Sequence, residues 1–128
     1  FDAGGRRLGV AAGETITGRA HALEVLECHG GTPDWSRLES LIREWRPTAL
    51  VVGIPRHADG SASHSTRLAE RFAGELARRT GCSVHRIDEH LSSHAARGDL
   101  RQRGRPAKVI DAEAARIILE TWLSEQTP

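Results

Sequence analysis

The most constraining feature of this sequence is a continuous apolar run at residues 49–54, Ala-Leu-Val-Val-Gly-Ile. A short run without alternating polar residues is typical of a strand that is buried on both faces of its sheet. Both faces are covered when helices pack on each side of the sheet, as they do in α/β proteins. The run therefore predicts an α/β domain.

The chain before this run predicts an antiparallel meander followed by a helix. Two of its strands are predicted at residues 8–12 and 15–26, joined around residues 13–14. Residues 32–34, Thr-Pro-Asp, are typical of a helix start in which Thr32 is the N-cap. This helix is expected to end at Pro47 and to bury a stripe that includes both of its tryptophans, namely Trp35, Leu38, Ile42 and Trp45.

The chain after the run predicts further parallel strands and helices. A helix with Leu68, Phe72 and Leu76 on its buried face is expected to end at Gly81. A strand at residues 83–88, a short helix from residue 94 to about residue 100 with Ser92 or Ser93 as its cap, and a last helix at residues 110–123 follow. The predicted fold is a mixed sheet, an antiparallel meander plus parallel strands, flanked by helices.

Length and composition limit the other possibilities. The 128 residues predict one domain, 1–128, and because the sequence contains no Met we expect Phe1 to lie inside a first strand whose start is missing. No apolar run is long enough for a membrane span. Cys28 and Cys82 lie outside any C-x-x-C pattern, which predicts reduced thiols in a cytoplasmic protein.

Acidic residues are predicted to meet at one edge of the sheet. Ligands of open α/β sheets bind beyond the carboxyl ends of the strands, where we expect Asp2, residues 55–60 and the pair Asp88 and Glu89. Asp111 shares a helical stripe with apolar residues of the last helix, so its carboxylate should point toward the sheet. A carboxylate that points inward is costly unless a cation or a metal is its partner.

Four motifs in this order resemble the YqgF-type proteins, described as Holliday junction resolvases and as nucleases of pre-16S rRNA. They cover nearly the whole chain: Asp2-x-Gly4-x-x-Arg7-x-Gly9-Val10-Ala11, Val51-Val52-Gly53-Ile54-Pro55 with Asp59-Gly60, Asp88-Glu89-x-Leu91-Ser92-Ser93, and Asp111-Ala112-x-Ala114-Ala115. The resemblance implies an RNase H-like fold and a catalytic triad of Asp2, Glu89 and Asp111 that holds Mg²⁺ or Mn²⁺. His57 and the Ser92-Ser93 pair depart from the family pattern.

The resemblance implies a metal-dependent endonuclease with two candidate substrates. Resolution of a four-way DNA junction needs two active sites related by a two-fold axis, whereas trimming the 5′ end of pre-16S rRNA needs one. Because packing on the sheet accounts for the apolar helix faces, we expect a monomer or a weak dimer and favour RNA processing in ribosome biogenesis over DNA recombination. An ATP-binding module and a non-catalytic nucleic-acid-binding adaptor are alternatives from other classes.

Cations near these acids are expected to bind nucleic acid. Arg7 and Arg56 lie close to the predicted sheet edge, and residues 97–108 are rich in arginine with one lysine. Because Gly98, Gly104 and Pro106 interrupt this segment, we predict a mobile basic loop. The predicted phosphate contacts are Arg7, Arg56, Arg101, Arg103, Arg105 and Lys108.

The histidines offer a competing metal site. His90 and His94 are four residues apart beside Glu89, a spacing that zinc sites use. Such a site needs a third ligand, and surface histidines on a short helix explain the pair more simply. His85, inside a predicted strand, is interpreted as structural.

Overall fold

The computed structural model of this protein describes residues 1–91 and 94–126. It confirms a mixed α/β fold. The strands are β1 (Asp2–Ala3), β2 (Arg7–Gly13), β3 (Ala20–His29), β4 (Thr32–Pro33), β5 (Leu50–Ile54) and β6 (Val84–Asp88). The helices are α1 (Trp35–Trp45), α2 (His64–Thr80), α3 (His94–Gln102) and α4 (Ala107–Glu125), and one 3₁₀ turn covers Glu89–Leu91.

The strands form an antiparallel part and a parallel part that meet at Phe1. Strands β1 to β4 are antiparallel and adjacent in chain order, and β5 pairs with β6 in parallel. The backbone nitrogen of Phe1 donates to the carbonyl of Val51 at 2.7 Å, and its carbonyl accepts from Gly53 at 3.0 Å. These two bonds place β1 beside β5, so Asp2 lies where the two parts join.

Helices cover both faces of β5, as its apolar run predicts. Leu50, Val52 and Ile54 belong to the larger core cluster, which α1 and α2 complete. Val51 belongs to the other cluster, in which it packs with Ile118 of α4. Alternate residues of one strand are therefore buried on opposite faces of the sheet.

The contact between α4 and β2 depends on a glycine. A Cβ atom on Gly9 would collide with the carbonyl oxygen of Asp111 and would lie 3.3 Å from the Cβ of Ala115. Glycine at this position lets the helix backbone touch the strand backbone. Because Gly9 is also the register partner of Asp2, this contact places Asp111 next to the first strand.

The predicted start of the first helix is wrong. Thr32 and Pro33 form β4, which pairs with the end of β3, and Asp34 is the N-cap of α1, accepting from the nitrogen of Arg37 at 3.2 Å. Gly30 and Gly31, both with positive φ, turn the chain back along β3, so it stays in the sheet for two more residues. The second meander strand also begins later than predicted, at Ala20, because a turn occupies residues 14–19.

The prediction that both tryptophans of α1 are buried is half wrong. Trp35 stacks on Phe72 at 5.6 Å between ring centroids, but Trp45, the last residue of α1, is 52% exposed. Leu41, outside the predicted stripe, is buried instead. Trp45 and the exposed Ile16 line a cavity of about 380 Å³ near the start of β5, which Asp2, Glu89 and Asp111 do not line.

The predicted mobile basic loop is also wrong for most of its length. Residues 94–102 form α3, and α4 begins at Ala107, three residues before its predicted start. The predicted short helix from residue 94 is confirmed as α3, and because Gly98 lies inside it, the expected interruption of residues 97–108 at Gly98 is wrong. The proposed caps Ser92 and Ser93 lie outside the described residues.

Two further expectations concern the thiols and the membrane. Cys28 and Cys82 are free and half-buried in the described structure. Burial raises the pKa of the Cys28 thiol, which keeps it protonated and unreactive. Among the described helices, none combines the length and the hydropathy that crossing a membrane requires.

Gly9→Ala is expected to lower the free energy of unfolding by about 1–3 kcal/mol, because the new methyl group pushes α4 away from β2. Chemical denaturation measures the change. Gly74→Ala is the matched control, since Gly74 lies inside α2 with open space around it and alanine favours a helix by about 0.5–1 kcal/mol. Equal losses in both variants would contradict the described packing.

Candidate active site

Asp2 is the most buried acid at the junction of the sheet. It lies in β1 opposite Gly9, between the antiparallel and parallel parts, and is 4% exposed. Its Oδ2 accepts from Nη2 of Arg97 on α3. A buried carboxylate is stable here because this guanidinium is its partner.

Asp111 joins Asp2 through the same arginine. It lies in the second turn of α4, inside the helix rather than at its N-cap, and its side chain is 14% exposed. Its Oδ2 accepts from Nε of Arg7 at 2.5 Å, and its Oδ1 lies 3.5 Å from Nη1 of Arg97. Asp111 is thus held between Arg7 of β2 and Arg97 of α3.

Glu89 reaches Asp2 from the end of the parallel strands. It directly follows β6, is 8% exposed and shares a side-chain hydrogen bond with Asp2. Gly53 leaves room for it, because a Cβ there would lie 3.1 Å from Cγ of Glu89. The neighbouring Asp88 is less buried, and its Oδ1 accepts from the backbone nitrogen of His90 at 2.9 Å.

Burial raises the pKa of Glu89 to about 8, and the charge of Asp2 and the hydrogen bond with it act in the same direction. The positive charge of Arg97 opposes the shift. At neutral pH Glu89 therefore keeps its proton, and the protonated carboxyl group donates a hydrogen bond to Asp2.

The donor set suits a hard divalent cation, but an arginine stands among the donors. Carboxylate oxygens are the ligands that Mg²⁺ and Mn²⁺ prefer. Within residues 1–91 and 94–126, no three Asp, Glu, His or Cys side chains are arranged to hold a metal ion. Asp2 and Asp111 instead bind Arg97.

Sequence reasoning missed Arg97 as a member of this site and counted it only in the basic segment. An inward carboxylate needs a cation, so a partner for Asp111 was expected, but spacing alone cannot choose among the arginines that follow Glu89. The other cations predicted to bind phosphate fall into two groups, one bound to the acids and one exposed to solvent. Arg7 binds Asp111, whereas the remaining five are exposed, namely Arg56, Arg101, Arg103, Arg105 and Lys108.

The histidine pair lies beside the site without completing a metal centre in the described residues. The ring centroids of His90 and His94 are 4.5 Å apart, and Nε2 of His90 lies 2.8 Å from the carbonyl oxygen of Arg56. His85 packs against Trp122 with ring centroids 5.1 Å apart.

The fold is RNase H-like. The structure resembles RuvC of T. thermophilus, solved in complex with a Holliday junction substrate, with a TM-score of 0.56 and 21% sequence identity over 98% of this chain and 91% of that chain.

The family follows from sequence comparison. The model of the RuvX family, described as Holliday junction resolvase, matches residues 1–125, and the chain belongs to that family. A protein of Azotobacter vinelandii named "Putative pre-16S rRNA nuclease" is 46% identical over 98% of this chain and 92% of its own length. A protein of Yersinia pestis with the same name is 43% identical over 98% of this chain and 93% of its own length. These names indicate a nuclease, a hydrolase of phosphodiester bonds.

Glu89→Gln is expected to stabilise the metal-free protein increasingly as pH rises from about 5 to 8. Over this range unfolded Glu89, with its ordinary pKa of 4.5, loses a proton that the folded protein retains up to a pKa of about 8, so the parent loses stability. Each unit of difference is worth about 1.4 kcal/mol, so the gain should reach a few kcal/mol.

Denaturant titrations in EDTA at several pH values measure this gain. Glu27→Gln, which neutralises an exposed glutamate of β3, is the control. If Glu89→Gln raised the free energy of unfolding by the same amount at every pH, the raised pKa of Glu89 would be contradicted.

Proposed function

We propose that this chain is a metal-dependent endonuclease that uses Asp2, Glu89 and Asp111 as its catalytic carboxylates and trims the 5′ end of pre-16S rRNA. The observation that carries the proposal is the meeting of these acids, from β1, the end of β6 and α4, at one edge of the sheet. The chain's membership of a family of nucleases supports the same chemistry.

The three carboxylates would hold Mg²⁺ or Mn²⁺. The bound cation would polarise the phosphodiester and lower the pKa of the attacking water. The protein's own part is to fix the donors: β1 holds Asp2, Gly53 leaves space for Glu89, and Arg7 orients Asp111.

The substrate proposal rests on the relatives and on the number of sites needed. Relatives from Azotobacter and Yersinia carry the name of an rRNA nuclease, which fits a role in ribosome biogenesis in the cytoplasm. Trimming one strand needs one active site, and a monomer or weak dimer supplies it. The buried residues of α2 and α4 pack on the sheet, whereas Trp45 at the end of α1 is exposed.

A second candidate is resolution of four-way DNA junctions. The description of the RuvX family as Holliday junction resolvase favours it. This activity requires two symmetric cuts and so a stable dimer. Sedimentation at micromolar concentration, beside cleavage of a precursor leader RNA and of a four-way junction, distinguishes the two. A stable dimer that cuts only the junction, at paired positions, would replace the RNA proposal.

The acids give the first test of the chemistry. Asp2→Asn, Glu89→Gln and Asp111→Asn are each expected to reduce Mn²⁺-dependent cleavage by about a hundredfold or more, because each removes a carboxyl group that would hold the cation. Circular dichroism checks that each variant is folded.

Asp88→Asn is the matched control, because Asp88 adjoins Glu89 but binds the backbone of His90. It should cleave at the parental rate. Full activity in two of the three acid variants would reject the site. RNA binding by the parent without any cleavage in Mg²⁺ or Mn²⁺ would favour a non-catalytic adaptor.

The exposed cations around α3 are proposed to contact phosphates. Arg101, Arg103 and Arg105 lie on α3 and the short connection to α4, and Lys108 lies in the first turn of α4. Arg103 also pairs with Asp99 at 3.1 Å, an exposed contact of little strength. Arg56 is exposed just beyond the end of β5, and its carbonyl oxygen lies 2.8 Å from Nε2 of His90.

Changing Arg101, Arg103 and Arg105 to alanine together should weaken RNA binding for all sequences alike. The slope of log affinity against log salt should become shallower by about 0.7 for each lost phosphate contact. Arg19, Arg43 and Arg78 are exposed elsewhere, and their triple alanine variant is the control. An unchanged slope would show that these three arginines do not contact phosphates.

A further inference from the structure

We propose that Arg97 is an internal counter-ion that competes with the divalent cation for Asp2 and Asp111, and that metal binding displaces it together with α3. The inference rests on the carboxylate site of the proposed function. It assigns to α3 the role of a latch that closes the site when metal is absent.

The first step is the position of the guanidinium. Nη2 of Arg97 binds Asp2, and Nη1 lies 3.5 Å from Oδ1 of Asp111, so one planar group spans two of the proposed metal ligands. A divalent cation held by both carboxylates would occupy the space between them that the guanidinium fills, and the two positive charges would repel each other. Arg97 and the cation therefore exclude each other at Asp2.

The second step is that Asp111 has a second arginine partner, Arg7, which does not bind Asp2. Arg7 binds Oδ2 of Asp111 from β2, a strand in the middle of the sheet. Because the backbone of Arg7 belongs to the sheet, its bond to Asp111 does not depend on the position of α3. Arg97 comes from a separate helix and can leave without disturbing the Arg7 contact.

The third step is the weak attachment of α3. None of the described residues of α3 is buried, whereas α1, α2 and α4 each bury at least two. Moving α3 therefore exposes little apolar surface. Gly98 also lowers the intrinsic stability of this helix, because glycine has a low helix propensity. Among the described residues, the ion pairs of Arg97 with Asp2 and Asp111 join α3 to the site.

The fourth step is the incomplete bonding of Arg97. Among the described residues, its Nε is buried and has no hydrogen-bond partner. Buried side-chain donors are hydrogen-bonded in the large majority of cases, so the unbonded Nε makes the docked position of Arg97 less favourable. Release of Arg97 would return this donor to water.

Mn²⁺ affinity of the full chain tests the competition directly. Arg97→Ala should bind Mn²⁺ about tenfold more tightly or better, as measured by electron paramagnetic resonance of free Mn²⁺, because charge-assisted bonds no longer oppose the ion. Arg101→Ala removes the same charge from the exposed side of the same helix and is the control. Arg97→Ala that binds Mn²⁺ no better than this control would overturn the proposal.

Stability supplies a second readout. In EDTA, Arg97→Ala should melt at a lower temperature than the parent, because Asp2 loses its counter-charge. Saturating Mn²⁺ should then raise the melting temperature of Arg97→Ala by more than it raises that of the parent. Equal shifts in both proteins would also overturn the proposal.

Hydrogen exchange on the parent protein avoids any folding defect of the variant. Mn²⁺ should accelerate amide exchange at residues 94–102 while it slows exchange at residues 2–3 and 107–111. Slower exchange in α3 with Mn²⁺ would show that the helix stays docked and that Arg97 is not displaced.

The same titrations separate failure of this inference from failure of the proposed function. If Asp2→Asn abolishes Mn²⁺ binding but Arg97→Ala does not improve it, the metal site stands and the latch is wrong. If Asp2→Asn and Asp111→Asn both leave Mn²⁺ binding unchanged, the proposed metal site is wrong and the latch is rejected with it.

Discussion

The contact between α4 and β2 at Gly9 is the packing constraint on which the candidate site depends. Without a side chain at Gly9, the backbone of Asp111 touches the strand, and the carboxylate of Asp111 reaches the arginine that also binds Asp2. Gly53 acts in the same way on the other side of Asp2 by giving Glu89 its space. Two missing side chains in the sheet therefore bring together acids that are far apart in sequence.

Charge balance explains how three acids share so small a volume. Arg7 and Arg97 offset the two aspartates, and burial holds Glu89 in its neutral form through a pKa of about 8. Like charges at this distance would otherwise oppose folding. The arrangement is stable without metal, and it engages the carboxylates that would hold the cation under the proposed function.

The sequence predicts the acids better than it predicts their partners. Asp111 could be placed because it shares a 3.6-residue stripe with Ala115 and Ile118, whereas the choice of Glu89 over Asp88 came from the family resemblance. Arg97 could not, because nothing local distinguishes it from the exposed arginines after it. The short helix predicted from residue 94 is present as α3, and it includes Gly98 in spite of the low helix propensity of glycine. The late start of α1 has a similar cause, since pairing of Thr32 and Pro33 with β3 overrides a good capping pattern.

The location of Arg97 on the same segment as the basic surface has a thermodynamic consequence under the latch proposal. Arg101 follows Arg97 by one turn of α3, and Arg103 and Arg105 continue toward α4. A nucleic acid that holds this segment away from the sheet removes a competitor from Asp2, so it raises the affinity for the cation. Linkage makes the effect reciprocal: the cation, by releasing α3, raises the affinity for the nucleic acid by the same factor. Cation and substrate would then complete the site together, and either one alone would leave the acids largely engaged by the protein's own arginine.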